Sequence, residues 1–409
     1  MTDSVCLVTG KPLRPFFSFG RMPIANGFLT PDQFKEEYFF ELAVGFNPES
    51  RMVQLIHRVE EKKMFHENYA FFSSTSAFME RHFARFSDFI LENYLKDCRD
   101  PLVVEIGSND GILLKNFSQK KIRHLGIEPS ANVAEKARER GVRTRSEFFN
   151  EALAEKILAE SGPADAFLGA NVMCHIPYIH SVFEGVRRLL APRGVFVFED
   201  PYLGDILQKV SYDQIYDEHV FYFSVASIDY LAARHGLELI DVLPQDVHGG
   251  SMRYVLSPHG SRPVSASVAR QKEIEKETGL DDPAVYRKLG ENIEKSKSVL
   301  MNLLGDLRRQ GKRIAGYGAT SKSATVTNFC GITPDRVEYI CDTTPIKQGK
   351  YSPGAHIPVR PYEAFAENYP DYALLFAWNH AAEIMAKEKK FTERGGRFIL
   401  YVPEVKVAG

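Results

Sequence analysis

The chain is short of three things. Cysteine is scarce: Cys6, Cys98, Cys174, Cys330 and Cys341 are scattered and odd in number across 409 residues. That usage argues against a disulfide framework and fits reduced thiols in a cytosolic protein. Long apolar runs are missing, since no uninterrupted stretch is long enough to span a bilayer. The opening MTDSVCLVTG has no basic segment followed by an apolar one, so no secretory signal is expected. An excess of one charge is missing too. At a formal net charge of −2, no global field draws the chain to nucleic acid or to an anionic membrane, and any basic site must be local. Repeats and low-complexity tracts are also absent. The expectation is a cytoplasmic globular protein of two or three domains, with no nucleic-acid or membrane partner.

Residues 1–75 are rich in Phe, Pro and Gly without clear helical periodicity and read as a small irregular or β-rich module. SAFMERHFARFSDFILENYL then repeats apolar residues at helical spacing. LVVEIG, HLGIEP, ADAFLGAN and GVFVFEDP read as strands, with helical DGILLKNF, SANVAEKARERG and IHSVFEGVRRLL between them. Strands alternating with helices predict a mainly parallel sheet, so 76–260 is read as a central doubly wound α/β domain. Residues 261–309 are highly charged at helical spacing and read as a helical bridge. RIAGYGATSKSATVTNF, RVEYICDT, YALLFAWN and RFILYVP then start a second, Rossmann-like α/β pattern over 310–409.

Each α/β domain carries a glycine loop where such sheets bind ligands. VEIGSNDGILL places Gly107 and Gly111 between a strand and a helix, with Asn109 and Asp110 where a dinucleotide fingerprint needs small residues. An acidic loop repels phosphate and suits a cationic or zwitterionic ligand without phosphates, such as S-adenosylmethionine. Glu128, ending the next strand in GIEP, is suited to the two ribose hydroxyls. Glu105 is assigned near the amino-acid part of the same ligand, and Asn171, in ADAFLGAN, is assigned to it as well. The second loop, IAGYGATSKSATVTNF, has the opposite charge. Helix N-terminal amides with Lys322 make an anion site, and Lys347 and Lys350 follow in CDTTPIKQGKYSPG. A nucleoside diphosphate is the expected ligand there, with Tyr317 and Asn328 as further contacts.

YDQIYDEHVFYFS, residues 212–224, gathers Tyr216, Glu218 and His219 after the fifth strand of the central domain, on the side that faces the ligand crevice. His219 is the candidate general base, with Tyr216 as donor to a developing oxyanion. Glu218 is expected to orient the imidazole or bind a substrate hydroxyl. His175 in ANVMCHIP points to the same crevice. His248 and Arg253 in HGGSMR are candidates for substrate binding, although His248 also fits the bracing of a turn.

These stretches, with MPIANGFL, YAFFSSTS, FEDPYL, IKQGKYSPGAHIPV and AWNHAAEI, resemble in order and over nearly the whole chain the sugar 3-C-methyltransferases of deoxysugar biosynthesis. The resemblance implies an S-adenosylmethionine-binding central domain, a C-terminal domain that helps hold a nucleotide-linked 4-keto-6-deoxy sugar, and a base at His219. Tyr69, His175, Tyr216 and Glu218 are then expected around the sugar. The family habit of an N-terminal zinc site on two Cys-x-x-Cys pairs is broken: Cys6 stays, but Thr9, Asn47 and Ser50 stand at the other positions. Four good ligands are needed, so no zinc is expected. Two alternatives stay open on sequence alone: an enzyme using another acceptor or a nicotinamide, and a sugar-nucleotide binding protein without catalysis.

Overall fold

The structure, a computed structural model, describes residues 4–60 and 77–409. Three sheets organise it. The first holds β1 (Arg14–Pro23), β2 (Phe39–Asn47) and β3 (Met52–Leu55), antiparallel in chain order. It is completed by β9 (Phe221–Tyr222), which pairs antiparallel with β3 through Val53–Tyr222 and Gln54–Phe221. The stretch 212–224 therefore ends as the fourth strand of the N-terminal sheet. Phe19 and Phe28 are in the core of this module, whereas Phe39 is half-buried with the Arg21 guanidinium 4.7 Å from its ring.

The second sheet has the order β10-β11-β8-β7-β4-β5-β6. Its strands are β4 (Leu102–Ile106), β5 (Arg123–Ile127), β6 (Thr144–Arg145), β7 (Ala164–Ala170), β8 (Leu190–Pro201), β10 (Leu237–Gln245) and β11 (Ser251–Pro258). β4 to β8 run parallel, and β11 and β10 close the edge antiparallel. Central parallel strands are covered on both faces, so they are apolar throughout rather than alternating. In β4, Leu102, Val104 and Ile106 enter the core on one face, while Val103 meets Phe86, Ile90 and Phe117 on the other. Phe86 and Ile90, fully buried, fix the helix Ala77–Ile90 to the sheet, each contributing about 1.5–3 kcal/mol.

The third sheet has the order β14-β13-β12-β15-β16-β17, parallel except for its last strand. Its strands are β12 (Ile314–Tyr317), β13 (Ile340–Cys341), β14 (Val359–Arg360), β15 (Tyr372–Leu375), β16 (Arg397–Leu400) and β17 (Lys406–Ala408). In both parallel sheets the chain starts in the middle and reverses direction of growth, between β4 and β7 and between β12 and β15. Those are the switch points where a crevice opens at the carboxyl ends.

Residues 266–309 form two helices, Ala266–Glu277 and Pro283–Arg309. The longer starts on an Asp282 cap with Pro283 in its first turn, as helix N-termini favour. Its apolar stripe of Tyr286, Leu289, Ile293, Leu300 and Leu304 joins one continuous core with Phe19 and Phe46 of the first sheet and Ile314 and Leu374 of the third. The helix packs between sheets rather than spanning solvent.

Candidate functional site

A cavity of about 430 Å³ lies between the switch points of the two parallel sheets, within the ordinary size of small-molecule sites. At one end it is walled by Gly107, Asn109, Glu128 and Asn171 from the carboxyl ends of β4, β5 and β7. At the other stand Ala319, Thr320, Ser321 and Lys322 after β12, Asp342 after β13, and Asn379 and His380 after β15. Tyr216, His175, His248, Lys347 and Asn26 lie on its wall as well.

Local geometry explains the first loop. Gly107 has φ +61°, and a Cβ there would sit 2.5 Å from the Val172 side chain. Glu128 accepts from the Asn109 amide (3.1 Å) and the Ser130 amide (2.9 Å), so it shapes the loop while still facing the cavity. Burial pushes its carboxyl upward, and those amides pull it back. Glu105 is buried, and its Oε2 has no hydrogen-bond partner among the described residues. Burial, with the nearby charges of Glu128 and Asp110, pushes its carboxyl well up. Asn109, Asn171 and His248 have φ of +48°, +52° and +54°, left-handed backbone held by non-glycine residues on the cavity wall. Strain of this kind gathers at ligand sites.

Two residues of the loop are used differently from expectation. Asp110 is fully buried and paired with Arg140 at 2.8 Å, so it braces the loop and is not on the cavity wall. Gly111 faces Val142 and Ala137, where a side chain would collide.

The stretch 212–224 resolves residue by residue. His219 has its Nδ1 2.8 Å from the Gln214 carbonyl and its Nε2 2.8 Å from the Tyr216 hydroxyl. A carbonyl only accepts, so Nδ1 carries the proton, and Nε2 accepts from the phenol. Burial, then His175, lowers the His219 pKa well below its usual range, and the ring is neutral. The Gln214 carbonyl thus orients the imidazole, one of the two tasks expected of Glu218. His175 lies with its ring centroid 5.1 Å from that of His219, its pKa lowered to about 4 by burial. Tyr216 is on the cavity wall; His219 stands behind it.

The three acidic residues of the stretch each hold another part of the chain. Asp213 accepts through Oδ2 from Trp378 Nε1 (2.6 Å) and the Tyr401 hydroxyl (2.7 Å), both in the third-sheet domain. Asp217 accepts from the Ala25 amide at 2.9 Å, and burial, then Glu218, raises its carboxyl to about 8. Glu218 accepts from Asn26 Nδ2 at 2.6 Å. Ala25, Tyr216 and Ala324 pack together where the three sheets' domains meet.

At the second loop, Thr320 caps the helix Ser321–Cys330 by accepting from the Ser323 amide, and both Asp342 oxygens are spent on the Ala319 and Thr344 amides at 2.7 Å. Lys322 lies 3.4 Å from the His248 carbonyl, 3.5 Å from Asn379 Oδ1 and 4.8 Å from the Trp378 ring, and burial lowers its pKa. Lys347 donates to the Ala319 carbonyl at 2.9 Å beside the Phe28 ring.

Three expected substrate contacts are off the wall. Arg253 makes two bonds to Glu199, at 3.1 and 2.9 Å, over the Phe86 ring. Tyr317 donates to Glu388 at 2.8 Å, and Asn328 donates to the Ala324 and Pro353 carbonyls. Tyr69 lies outside the described residues. Sequence reasoning missed Asn26, Trp378, Asn379 and His380, although MPIANGFL and AWNHAAEI contain them.

Two groups bear on metals. Cys6 Sγ is 3.4 Å from Ser50 Oγ, and Ser50 donates its hydroxyl and amide to Asn47 Oδ1 at 3.0 and 2.9 Å. Thr9 Oγ1 accepts from the Lys11 amide. A hydrogen-bonded cluster with one thiol occupies the positions of a four-ligand site, and that donor set does not fit zinc. Cys174, His175 and His219 have potential ligand atoms within 4.8 Å of one another, but both nitrogens of His219 are already engaged.

Comparison with known proteins follows the same division. A family described as "Methyltransferase domain" matches residues 78–242, "C-methyltransferase C-terminal domain" matches 246–403, and "Putative zinc binding domain" matches 6–65. The C-methyltransferase NovU of Streptomyces niveus is 36% identical over 392 residues, covering 95% of this chain and 93% of its own. Among solved structures, magnesium protoporphyrin IX methyltransferase from Synechocystis PCC 6803 with bound SAM aligns at 13% identity, 44% of this chain and 80% of its own, with a TM-score of 0.33. CcbJ methyltransferase from Streptomyces caelestis aligns at 15% identity, 43% and 89%, with a TM-score of 0.33. A 36% identity to NovU over nearly the whole of both chains, together with the methyltransferase and C-methyltransferase domain matches, places the chain: it belongs to the C-methyltransferase family.

Proposed function

We propose that the protein methylates C3 of a nucleotide-linked 4-keto-6-deoxy sugar through an enolate. One observation carries this reading: a single cavity joins the phosphate-averse loop of one sheet to the cationic helix N-terminus of the other, with Tyr216 and His175 between them. On this reading Gly107, Asn109, Glu128 and Asn171 hold S-adenosylmethionine, with Glu105 behind them, and Lys322 and Lys347 receive the phosphates. When bound, the cofactor supplies a methyl group on a sulfonium.

A carbon nucleophile needs its own proton removed, and the 4-keto group makes the C3 proton acidic by accepting the electron pair as an enolate. His219 Nε2, unprotonated and bonded to the Tyr216 hydroxyl on the cavity wall, is the base. With the cofactor bound, its methyl group would pass to the enolate carbon, the electrons of the carbon–sulfur bond staying on sulfur and the ketone re-forming. Tyr216 and His175, both on the cavity wall, are candidates to stabilise the enolate oxygen.

A second reading of the same step rests on the Tyr216–His219 bond. With the phenol on the wall and the imidazole behind it, Tyr216 relays the proton to His219. The two readings separate on Tyr216→Phe, which leaves direct abstraction by His219 in place and removes the relay. The function itself is tested by mass spectrometry of reactions with S-adenosylmethionine and a panel of thymidine- and guanosine-linked 4-keto-6-deoxy sugars. A product heavier by one methylene unit is expected; no methylated product across the panel would refute the proposal.

A further inference from the structure

Asn26 is contributed to the cavity by the N-terminal module, and neither charge nor sequence pattern marked it. Its side chain lies on the wall, half-buried, with Nδ2 2.6 Å from Glu218 Oε1. A carboxylate only accepts, so Glu218 dictates the amide's orientation: Nδ2 faces the carboxylate and Oδ1 is left without a hydrogen-bond partner among the described residues. The backbone around it is held as firmly. The preceding amide, of Ala25, is bound by Asp217, and Ala25 packs on Tyr216. A fixed acceptor is thereby set on the same cavity wall as Tyr216.

We propose that Asn26 Oδ1 accepts a hydrogen bond from a substrate hydroxyl on or next to the reacting carbon and so selects for it, with Glu218 as the residue that positions the amide. The inference rests on the ketosugar reading above. A fixed acceptor discriminates well, because an analogue lacking the hydroxyl leaves a desolvated acceptor unmatched.

The test uses the full-length enzyme and a thymidine-linked 4-keto-6-deoxy sugar, together with its analogues lacking the C2 or the C3 hydroxyl. Asn26→Ala is expected to raise KM for the parent about 3- to 10-fold, the range of one neutral hydrogen bond. It should also abolish the preference for the parent over one of the two analogues. Calorimetry with S-adenosylhomocysteine reports whether the cofactor end is intact. Asn26→Asp alone sets two carboxylates against each other. Adding Glu218→Gln lets the glutamine donate to the introduced carboxylate and leaves an acceptor in the cavity, so the double variant should regain the hydroxyl preference. An equal penalty on parent and analogues, or a double variant no better than Asn26→Asp, overturns the inference while the function stands. A wild type that methylates none of the three sugars removes both.

Discussion

At the residue scale, the hydrogen bonds of His219 decide what it does. A proton fixed on Nδ1 by the Gln214 carbonyl leaves Nε2 as acceptor at every pH where the ring is neutral. Because burial holds its pKa well below the usual histidine value, the base form persists into mild acid. The rate profile of kcat/KM should therefore stay flat through pH ~6.5, the usual histidine value, and fall only in more acidic solution; an acid limb centred there would contradict this. Replacing His219 by Asn should leave both ligands bound but lower methylation by about 10²-fold or more, the usual scale for a general base. In heavy water without S-adenosylmethionine, that variant should also lose any exchange of the C3 proton seen with wild type. Glu128 makes its own prediction: Glu128→Ala should weaken S-adenosylhomocysteine in calorimetry, through both the lost ribose contact and the loosened Asn109 and Ser130 amides.

At the element scale, the turn between β10 and β11 shows how tightly the cavity's rim is built. Gly249 has φ +88°, and a Cβ there would lie 2.2 Å from the Trp378 ring. Gly249→Ala combines a disfavoured backbone with a collision against a ring held by Asp213, and should cost about 1–3 kcal/mol. Thermal unfolding measures this, and an unchanged midpoint would show that Trp378 moves aside freely. The same turn carries His248 and its carbonyl, which receives Lys322 and Gln214. A shift of this turn should therefore raise KM for the nucleotide sugar more than it affects cofactor binding. Arg253 belongs to a different element-level task. With His82 it brackets Glu199 and so ties the helix Ala77–Ile90, whose Met79 and Phe83 reach the cavity wall, to β8 and β11.

At the scale of the whole molecule, one carboxylate ties two domains. Asp213→Ala leaves the half-buried Trp378 donor without its acceptor and Tyr401 with only the longer bond to the Phe376 carbonyl, which should cost about 1–3 kcal/mol, whereas Asp213→Asn keeps an acceptor and should cost less. Equal losses in chemical denaturation would mean the charge, not the acceptor, matters. Stability should also depend on acid. His175, His219 and His248 have folded-state pKa values below the unfolded one, to about 4 for His175 and about 3 for His248. Below pH ~6.5 the unfolded chain binds protons that these three rings refuse when folded, so their contribution to stability falls as pH drops from there, against the opposite slope of the buried Asp200 and Asp217, whose carboxyls are raised to about 7 and about 8. His248→Gln should flatten that slope.

The sequence by itself determined what depends on local pattern. Alternating apolar runs and amphipathic helices settled two parallel sheets, because buried parallel strands must be apolar on both faces, and glycine loops after β4 and β12 marked the ligand ends. The motif order settled the family. Residue chemistry also argued against Thr9, Asn47 and Ser50 as zinc ligands, although it gave no sign that Asn47 and Ser50 join Cys6 in a hydrogen-bonded cluster. The tertiary structure alone decided which side chains share one space. A carboxylate or guanidinium carries the same charge whether it faces a ligand or a neighbouring strand, so Asp110 and Arg253 read as ligand contacts until Arg140 and Glu199 are seen against them. Asn26 and Glu218, 192 positions apart, meet only because β9 joins the first sheet. Sequence spacing carries no information about contacts made across that distance, and hydrogen bonds between sheets are what turn a row of acidic and aromatic residues into a site.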